Sequence, residues 1–512
     1  MRDHLRRNRA VWVVIAALVA VAVAVRAPDA VNESFWADEV ASGHVITAPT
    51  PRAAVQRIRR ESSPPVWFFV ARTAHGAGND LASVSGAFKP LASFGAVRLL
   101  SVLFSAVLVA LVVIYARWFL ELWAAALAGL LVTVGFQFVL HGKELRPYAL
   151  LMLLAIAVPL TLEWVVARPG RWRLAAFALL VAVGSMTHYF FLLPLFSGLL
   201  WLWLTPHGRS TRLRVTGAAS VGLVPLLLWL PIVIYQAGRV NEYFPAFGIR
   251  RTLSVYSVFF ASGSVWQGQG PGYPARIVLL AAVLVGAALL ARRAEGRLCA
   301  FLAVVPWVVT ALIWLAGLRI FDTRNLLVVA PFAAMCLAAL VAAIPVRPLA
   351  YAAGAVLAGL AVWAYSIDRD LARTPYDEIT AELVELGWTP ESPLVVHARY
   401  PQTRPLSWHL PGHPYVRVSQ PGPGRCEHAF VVAEDPAARA WLTTHADLIE
   451  EQREFPWYGS QMASERETPD VAVARLTGSP ELLADAVADG AFLLQVRGRR
   501  QAPCLEPKTA SP

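Results

Sequence analysis

Long apolar blocks separated by short arginine-bearing turns fill the first 366 of the 512 residues, and the pattern changes after that point. A helix needs ~20 apolar residues to cross a ~30 Å hydrocarbon core. Blocks at about 10–25, 94–116, 122–140, 148–167, 174–188, 189–204, 215–235, 276–291, 298–318, 325–344 and 349–366 predict eleven spans, with a tight hairpin at His188 and Tyr189. An uncleaved first span fits better than a removable signal peptide, because no small-residue cleavage site follows the block cleanly. After 366 the runs shorten. Leu394-Val395-Val396, Tyr415-Val416-Arg417-Val418 and Phe430-Val431-Val432-Ala433 predict strands. Helical patterns fall at about 376–387, 436–446 and 480–489, and Pro411-Gly412 and Pro421-Gly422-Pro423-Gly424 break the chain. The predicted fold class is a polytopic α-helical membrane protein over 1–366, with an outer loop at 26–93, followed by a soluble α/β domain over 367–512.

Composition agrees: 57% of residues are hydrophobic and the mean hydropathy is +0.53, above the roughly 45–50% apolar usage of soluble domains. The net charge of +11 hides two halves, since 367–512 holds 14 basic against 21 acidic residues and 1–366 holds 31 against 13. The excess follows topology. Arg2, Arg6, Arg7 and Arg9, then Arg117, Arg168, Arg171, Arg173, Arg209, Arg212, Arg214, Arg292, Arg293, Arg297 and Arg347 fall on one side of an eleven-span chain, which the positive-inside rule makes cytoplasmic. This is not a nucleic-acid footprint. A plasma-membrane protein is predicted, with its N-terminus in the cytoplasm and its tail outside. Only Lys89, Lys143 and Lys508 are lysines, which with the abundant Ala and Val indicates a GC-rich bacterial genome. Cys299 and Cys336 lie in spans as packing residues. Cys426 and Cys504 lie in the outer tail, a disulfide-permissive setting, and are a candidate bridge.

The candidate chemistry lies in the outward turns. The first carries Phe35-Trp36-Ala37-Asp38-Glu39, an acidic pair just beyond the first span. Asp38 and Glu39 can serve a hydroxyl acceptor as base and neighbour, or simply stabilise a helix start. A second turn reads His141-Gly142-Lys143-Glu144-Leu145-Arg146-Pro147-Tyr148. Ionisable groups at a membrane boundary mark a functional site by default, although Lys143 and Arg146 are also placed to snorkel and Tyr148 to join an aromatic belt. Thr187-His188-Tyr189 and Arg319 to Asn325 complete the set. His188 reads equally as hydrogen-bonded structure, and Arg324 either contacts a phosphate or pairs with Asp322.

Taken in order, these segments resemble the family 39 type glycosyltransferases of the GT-C fold. That family takes in the protein O-mannosyltransferases and the bacterial transferases that modify lipid A with aminoarabinose. The matching pieces are Phe35 to Glu39, Ser63-Pro64-Pro65-Val66-Trp67, Arg98-Leu99-Leu100-Ser101, the Glu-x-Arg-x-Tyr of Glu144, Arg146 and Tyr148, Thr187-His188-Tyr189, and Arg324-Asn325-Leu326. They cover about 1–345, and the type is bacterial, of an actinobacterial kind. In one departure, Ser63 stands where the family has a histidine before its Pro-Pro pair.

The resemblance implies inverting transfer of a sugar from a polyprenyl-phosphate donor to an extracytoplasmic acceptor in the cell envelope. The enzyme would be a hexosyl- or pentosyltransferase. Asp38 is the expected base and Glu39 its positioning neighbour. Lys143, Arg146, Arg324 and Arg98 are expected at the donor phosphate, since Arg grips phosphate as a fork and Lys as a point charge. Glu144, Tyr148, His188 and Tyr189 are expected around the substrates. The partners are the lipid-linked donor, the bilayer and the acceptor. No cofactor is called for; a divalent metal is compatible with such chemistry but has no support in the sequence. A transporter or flippase of a lipid-linked sugar is the alternative, needing a cationic site but no acidic pair. A cytoplasm-only reporter fused after Pro512 is expected to stay silent; a strong signal would reverse the orientation.

Overall fold

The computed structural model describes residues 9–92, 94–240, 248–261, 272–368, 376–386, 394–397, 408–409, 416–417, 428–433, 449–455 and 491–497. The chain divides into two compact units. The first takes 1–31, 42–262 and 271–366; the second gathers Asn32–Ala41 with the residues from Ile367 onward.

The helices of the first unit are α1 (Arg9–Asn32), α2 (Ala37–Ile46, its first turn in the second unit), α3 (Pro51–Ile58), α4 (Val66–Val84), α5 (Gly95–Ala116), α6 (Leu122–Val134), α7 (Phe136–His141) and α8 (Tyr148–Ala167). They continue with α9 (Arg171–Ser185), α10 (Leu192–Leu204), α11 (Arg209–Val240), α12 (Ile249–Phe260), α13 (Gly272–Ala291), α14 (Arg297–Leu315), α15 (Ala330–Ala342) and α16 (Arg347–Asp368). Among the described residues seven helices are long and apolar enough to cross a membrane, and three more are apolar but shorter. The seven coincide with seven of the eleven expected blocks. The blocks at 122–140, 174–188, 189–204 and 325–344 fall on helices of 15 residues or fewer. Packing explains one of these: α15 sits against α6, α13 and α14, and every residue from Ala330 to Ala339 is buried. A Cβ on Gly286 of α13 would lie 2.0 Å from the Cys336 carbonyl, so these two helices touch backbone to backbone, as small residues permit in membranes.

Two expected blocks change shape. The first was expected to stop at about 25, before Arg26, yet α1 runs on to Asn32 with Arg26 fully buried inside it. The third breaks at Gly135, whose ψ of 137° is extended. A broken helix at membrane depth must have its freed carbonyls satisfied, and Arg26 does this. Its Nε donates to the Phe138 carbonyl at 3.3 Å, and its terminal nitrogens donate to the Val132 and Ala22 carbonyls, both at 3.1 Å. Gly142 lies directly over this guanidinium, since a Cβ there would meet Arg26 Nε at 2.6 Å and Ser105 Oγ at 2.7 Å.

The stretch that follows α1 is also ordered into helices. Thr50 caps α3 by accepting from the Ala53 amide at 3.1 Å, and Pro51 supplies a preset φ at its start. Helix α12 is a packed element: Tyr256 is fully buried and donates to the Ala303 carbonyl at 2.6 Å.

In the second unit, α17 (Tyr376–Glu385) buries Tyr376, Ile379 and Leu383 on one face. The strands are β1 (Leu394–His397), β2 (Val416–Arg417), β3 (His428–Ala433), β4 (Ile449–Phe455) and β5 (Ala491–Arg497). They form a sheet in the order β2-β1-β3-β5-β4, with β1 parallel to β2 and β3, and β5 antiparallel to β3 and β4. Pairing brings Val395 opposite Val416 and Val431, and the register shifts between Ile449 and Glu451. Cys426, Cys504 and the expected helices at 436–446 and 480–489 lie outside the described residues.

Replacing Arg26 by Met keeps bulk but strands two carbonyls of the broken helix. Each unsatisfied buried group costs roughly 1–3 kcal/mol, so Arg26→Met is expected to lower the thermal midpoint of the purified protein markedly. An unchanged midpoint would remove Arg26 from this role.

Candidate functional site

The break at Gly135 delivers α7 and then the turn 141–148 to one end of the bundle. His141 is fully buried at the end of α7. Its Nδ1 donates to Glu144 Oε2 at 2.7 Å, and its Nε2 lies 2.9 Å from Gln137 Oε1. The Glu144 carbonyl accepts from Ser101 Oγ at 2.7 Å. These bonds shape the turn so that Lys143 and Arg146 leave it three residues apart. Both are nearly buried, so both need partners. Lys143 Nζ is 2.7 Å from Asp29 Oδ2, at the end of α1. Arg146 donates to Ser42 Oγ at 3.0 Å and approaches Glu61 Oε2 at 3.6 Å. Arg98, on α5, reaches the Ala30 carbonyl at 3.5 Å.

Two further turns close on Arg146. The amide of Val66 donates to the Met186 carbonyl at 2.9 Å, tying the Ser63-Pro64-Pro65 turn to the His188 turn. The short 3-10 helix Asn325–Val328 packs against α8 and the turn Tyr189–Phe191. Tyr148 lies between the two histidines, its ring centroid 4.7 Å from His141 and 5.7 Å from His188. His188 lies in the turn between α9 and α10, and its Nδ1 accepts from the Phe190 amide at 3.3 Å. Burial first, then the positive charges of Arg146 and Arg324, push its pKa down to about 3. Arg324 Nε is 3.3 Å from Asp322 Oδ2, and its amide donates to Asp322 Oδ1 at 3.0 Å, so the pairing with Asp322 is present. Tyr189 faces α11, donating to Gln236 Oε1 at 2.5 Å and accepting from Trp229 Nε1 at 3.2 Å.

The structure thus brings Arg146, Tyr148, His188 and Arg324 together, with Lys143 on the adjoining side of the same turn. Glu144 is engaged with His141. Ser63 is almost fully buried, and its hydroxyl has no hydrogen-bond partner among the described residues. Asp38 and Glu39 stand in the first turn of α2, where carboxylates suit a helix N-terminus. Glu39 is fully buried and Asp38 is half-buried. Just before them, in the second unit, the Phe35 ring lies 6.2 Å from His409 and 6.5 Å from Trp408, and Ser34 Oγ is 3.4 Å from His409 Nε2. Among the described residues no group of three His, Cys, Asp or Glu side chains could hold a metal ion.

Arg26, Asp29, Glu61, His141 and Gln137 were given no role by sequence reasoning. Asp29 and Glu61 pair with cations far away in sequence, so neither carries a local signal. Arg26 had one: it is the charge at the edge of an apolar block.

No family model matches the chain, and no curated protein matches it in sequence. Among solved structures, apo ArnT from Cupriavidus metallidurans aligns over 94% of this chain and 97% of its own at 13% identity, with a TM-score of 0.51. The same protein bound to undecaprenyl phosphate aligns over 95% and 98% at 12% identity, TM-score 0.48. The archaeal oligosaccharyltransferase AglB from Archaeoglobus fulgidus, with an inhibitory peptide and a dolichol-phosphate, aligns over 78% and 63% at 11% identity, TM-score 0.48. The first of these likenesses bears on fold alone. The chain has the GT-C fold.

The neutral state of His188 has a pH signature. Its unfolded pKa of 6.5 lies above the folded value of about 3, so acidification protonates the unfolded chain first. Stability is complete above about pH 6.5 and falls as the pH drops toward 3, by roughly 2 kcal/mol at pH 5. His188→Asn is expected to flatten this loss between pH 8 and pH 5 in thermal unfolding; an identical slope in both proteins would contradict it.

Proposed function

We propose that this chain is an inverting glycosyltransferase that moves a sugar from a polyprenyl-phosphate donor to a hydroxyl of an extracytoplasmic envelope acceptor. The observation that carries the reading is the convergence of Arg146 and Arg324 on the His188 turn, with Lys143 beside them, in a GT-C fold. An embedded cluster of guanidinium and ammonium groups answers the charge on a departing phosphate. In the proposed reaction the acceptor oxygen attacks the anomeric carbon and the bond from that carbon to the phosphate oxygen breaks. The acceptor proton passes to Asp38. Polyprenyl phosphate leaves with its new charge held by Arg146, Arg324 and Lys143, with Arg98 behind them.

Glu39 is proposed to position the acceptor or sugar. Tyr148, His188 and Tyr189 are proposed to border the substrates, with Glu144 acting through His141 and the shape of their shared turn. The finer relationship to family 39, the eleven spans, the plasma-membrane orientation with cytoplasmic N-terminus, and an outer α/β domain over 367–512 belong to the same proposal. So does the choice of a hexose or pentose.

Asp38→Asn keeps size and hydrogen-bonding shape but removes basicity. Single-turnover transfer from a polyprenyl-phosphate sugar is expected to fall ~10²–10⁴-fold while donor binding holds; Glu39→Gln should be milder. Arg146→Ala should weaken donor binding as well as turnover, and Arg146→Lys should restore it only in part. Parent-rate transfer in both acidic variants, with lipid-linked sugar still bound, would favour the transporter reading.

A further inference from the structure

Helix α3 ends at Arg57 and Ile58 and leads into Arg59 and Arg60, a turn that the chemistry above does not use. Its three arginines, with Ala53, Gln56 and Tyr235, line a cavity of about 560 Å³. All three are exposed, and among the described residues no carboxylate pairs with any of them. Arg59 lies over the Tyr235 ring at 5.8 Å, and Arg57 donates to the His44 carbonyl. Three cations around one hollow repel each other, and an anion placed there relieves that repulsion.

The position of the cavity says which anion. Gln236 Nε2 donates to the Ile58 carbonyl at 2.8 Å, so the basic turn is pinned to the end of α11 far from Arg209. Below it Val221, Val224, Leu228 and Tyr235 recur at helical spacing and are all exposed, Leu228 by 80%. An exposed apolar stripe on a spanning helix faces acyl chains, and the arginines at its end stand at headgroup level. We propose that this cavity binds the phosphate of an anionic lipid headgroup, with the lipid's chains along the α11 stripe. Inorganic phosphate offers the same charge without the chains, and so separates the two sources.

The test is native mass spectrometry of the full chain in neutral detergent, titrated with phosphatidylglycerol, phosphatidylcholine or inorganic phosphate. The parent is expected to prefer phosphatidylglycerol, and the combined Arg57→Gln, Arg59→Gln and Arg60→Gln variant to lose about tenfold or more of that preference. Lysine at the same three positions keeps the charge and should keep the preference, which separates lost binding from lost fold. A glutamine variant that binds like the parent, or loss in both variants, would overturn the site. Displacement of phosphatidylglycerol by equimolar inorganic phosphate would overturn the lipid assignment in favour of a soluble anion.

Discussion

A single buried guanidinium decides how the polar turn of this bundle is presented. Arg26 lies wholly inside the protein, and among the described residues its donors reach backbone carbonyls only. In a bilayer a helix cannot simply stop and restart, because each freed carbonyl lacks water. By bonding Val132 and Phe138, Arg26 permits the extended residue Gly135, and the break turns α7 so that His141 starts a compact polar turn instead of a further stretch of span. The His141–Glu144 contact and the Ser101 bond then fix the path from Gly142 to Tyr148. Removing the break would carry Lys143 and Arg146 along a continuous helix, away from the His188 and Arg324 turns.

Around that turn each cation has an acid or hydroxyl of its own: Lys143 has Asp29, Arg146 has Glu61 and Ser42, and Arg324 has Asp322. These acids are less buried than their partners, Asp29 being 45% exposed. The arrangement keeps the cations charged and oriented without a ligand, since a buried charge must be paired. In the proposed reaction a donor phosphate exchanges with partly hydrated carboxylates and does not have to assemble the cations. Preorganisation of this kind is what stabilises charge that develops during a reaction.

The sequence displayed the large features through period and composition. Seven of the expected spans sit on long apolar helices, the runs at 394–396 and 430–433 fall on strands, and so do Val416 and Arg417 of the run at 415–418. Hydropathy cannot show a break inside an apolar run, so 122–140 read as one span although it parts at Gly135. It also treated Arg26 as a boundary, because the averaged pattern has no way to show a charge satisfied by carbonyls more than a hundred residues away. At the site, motif order flagged Arg146, Tyr148, His188 and Arg324, which do meet. The acids that hold the cations were invisible because their pairing is long-range in sequence: Asp29 with Lys143, and Glu61 with Arg146.

Hydrogen bonds also join the basic turn of α3 to the His188 turn. The Ile58 carbonyl accepts from Gln236, whose other amide atom accepts from Tyr189, the neighbour of His188. Tyr189 in turn takes a bond from Trp229, so one stretch of α11 holds both turns. Gln236 is almost fully buried, and a buried amide with both ends engaged has little freedom to let either partner move alone. An anion drawn to Arg57, Arg59 and Arg60 therefore settles on a turn that shares a rigid support with His188. Displacement of one turn has to be absorbed by the other or by the second half of α11, where Pro225 and Pro231 each remove a bond from the helical ladder.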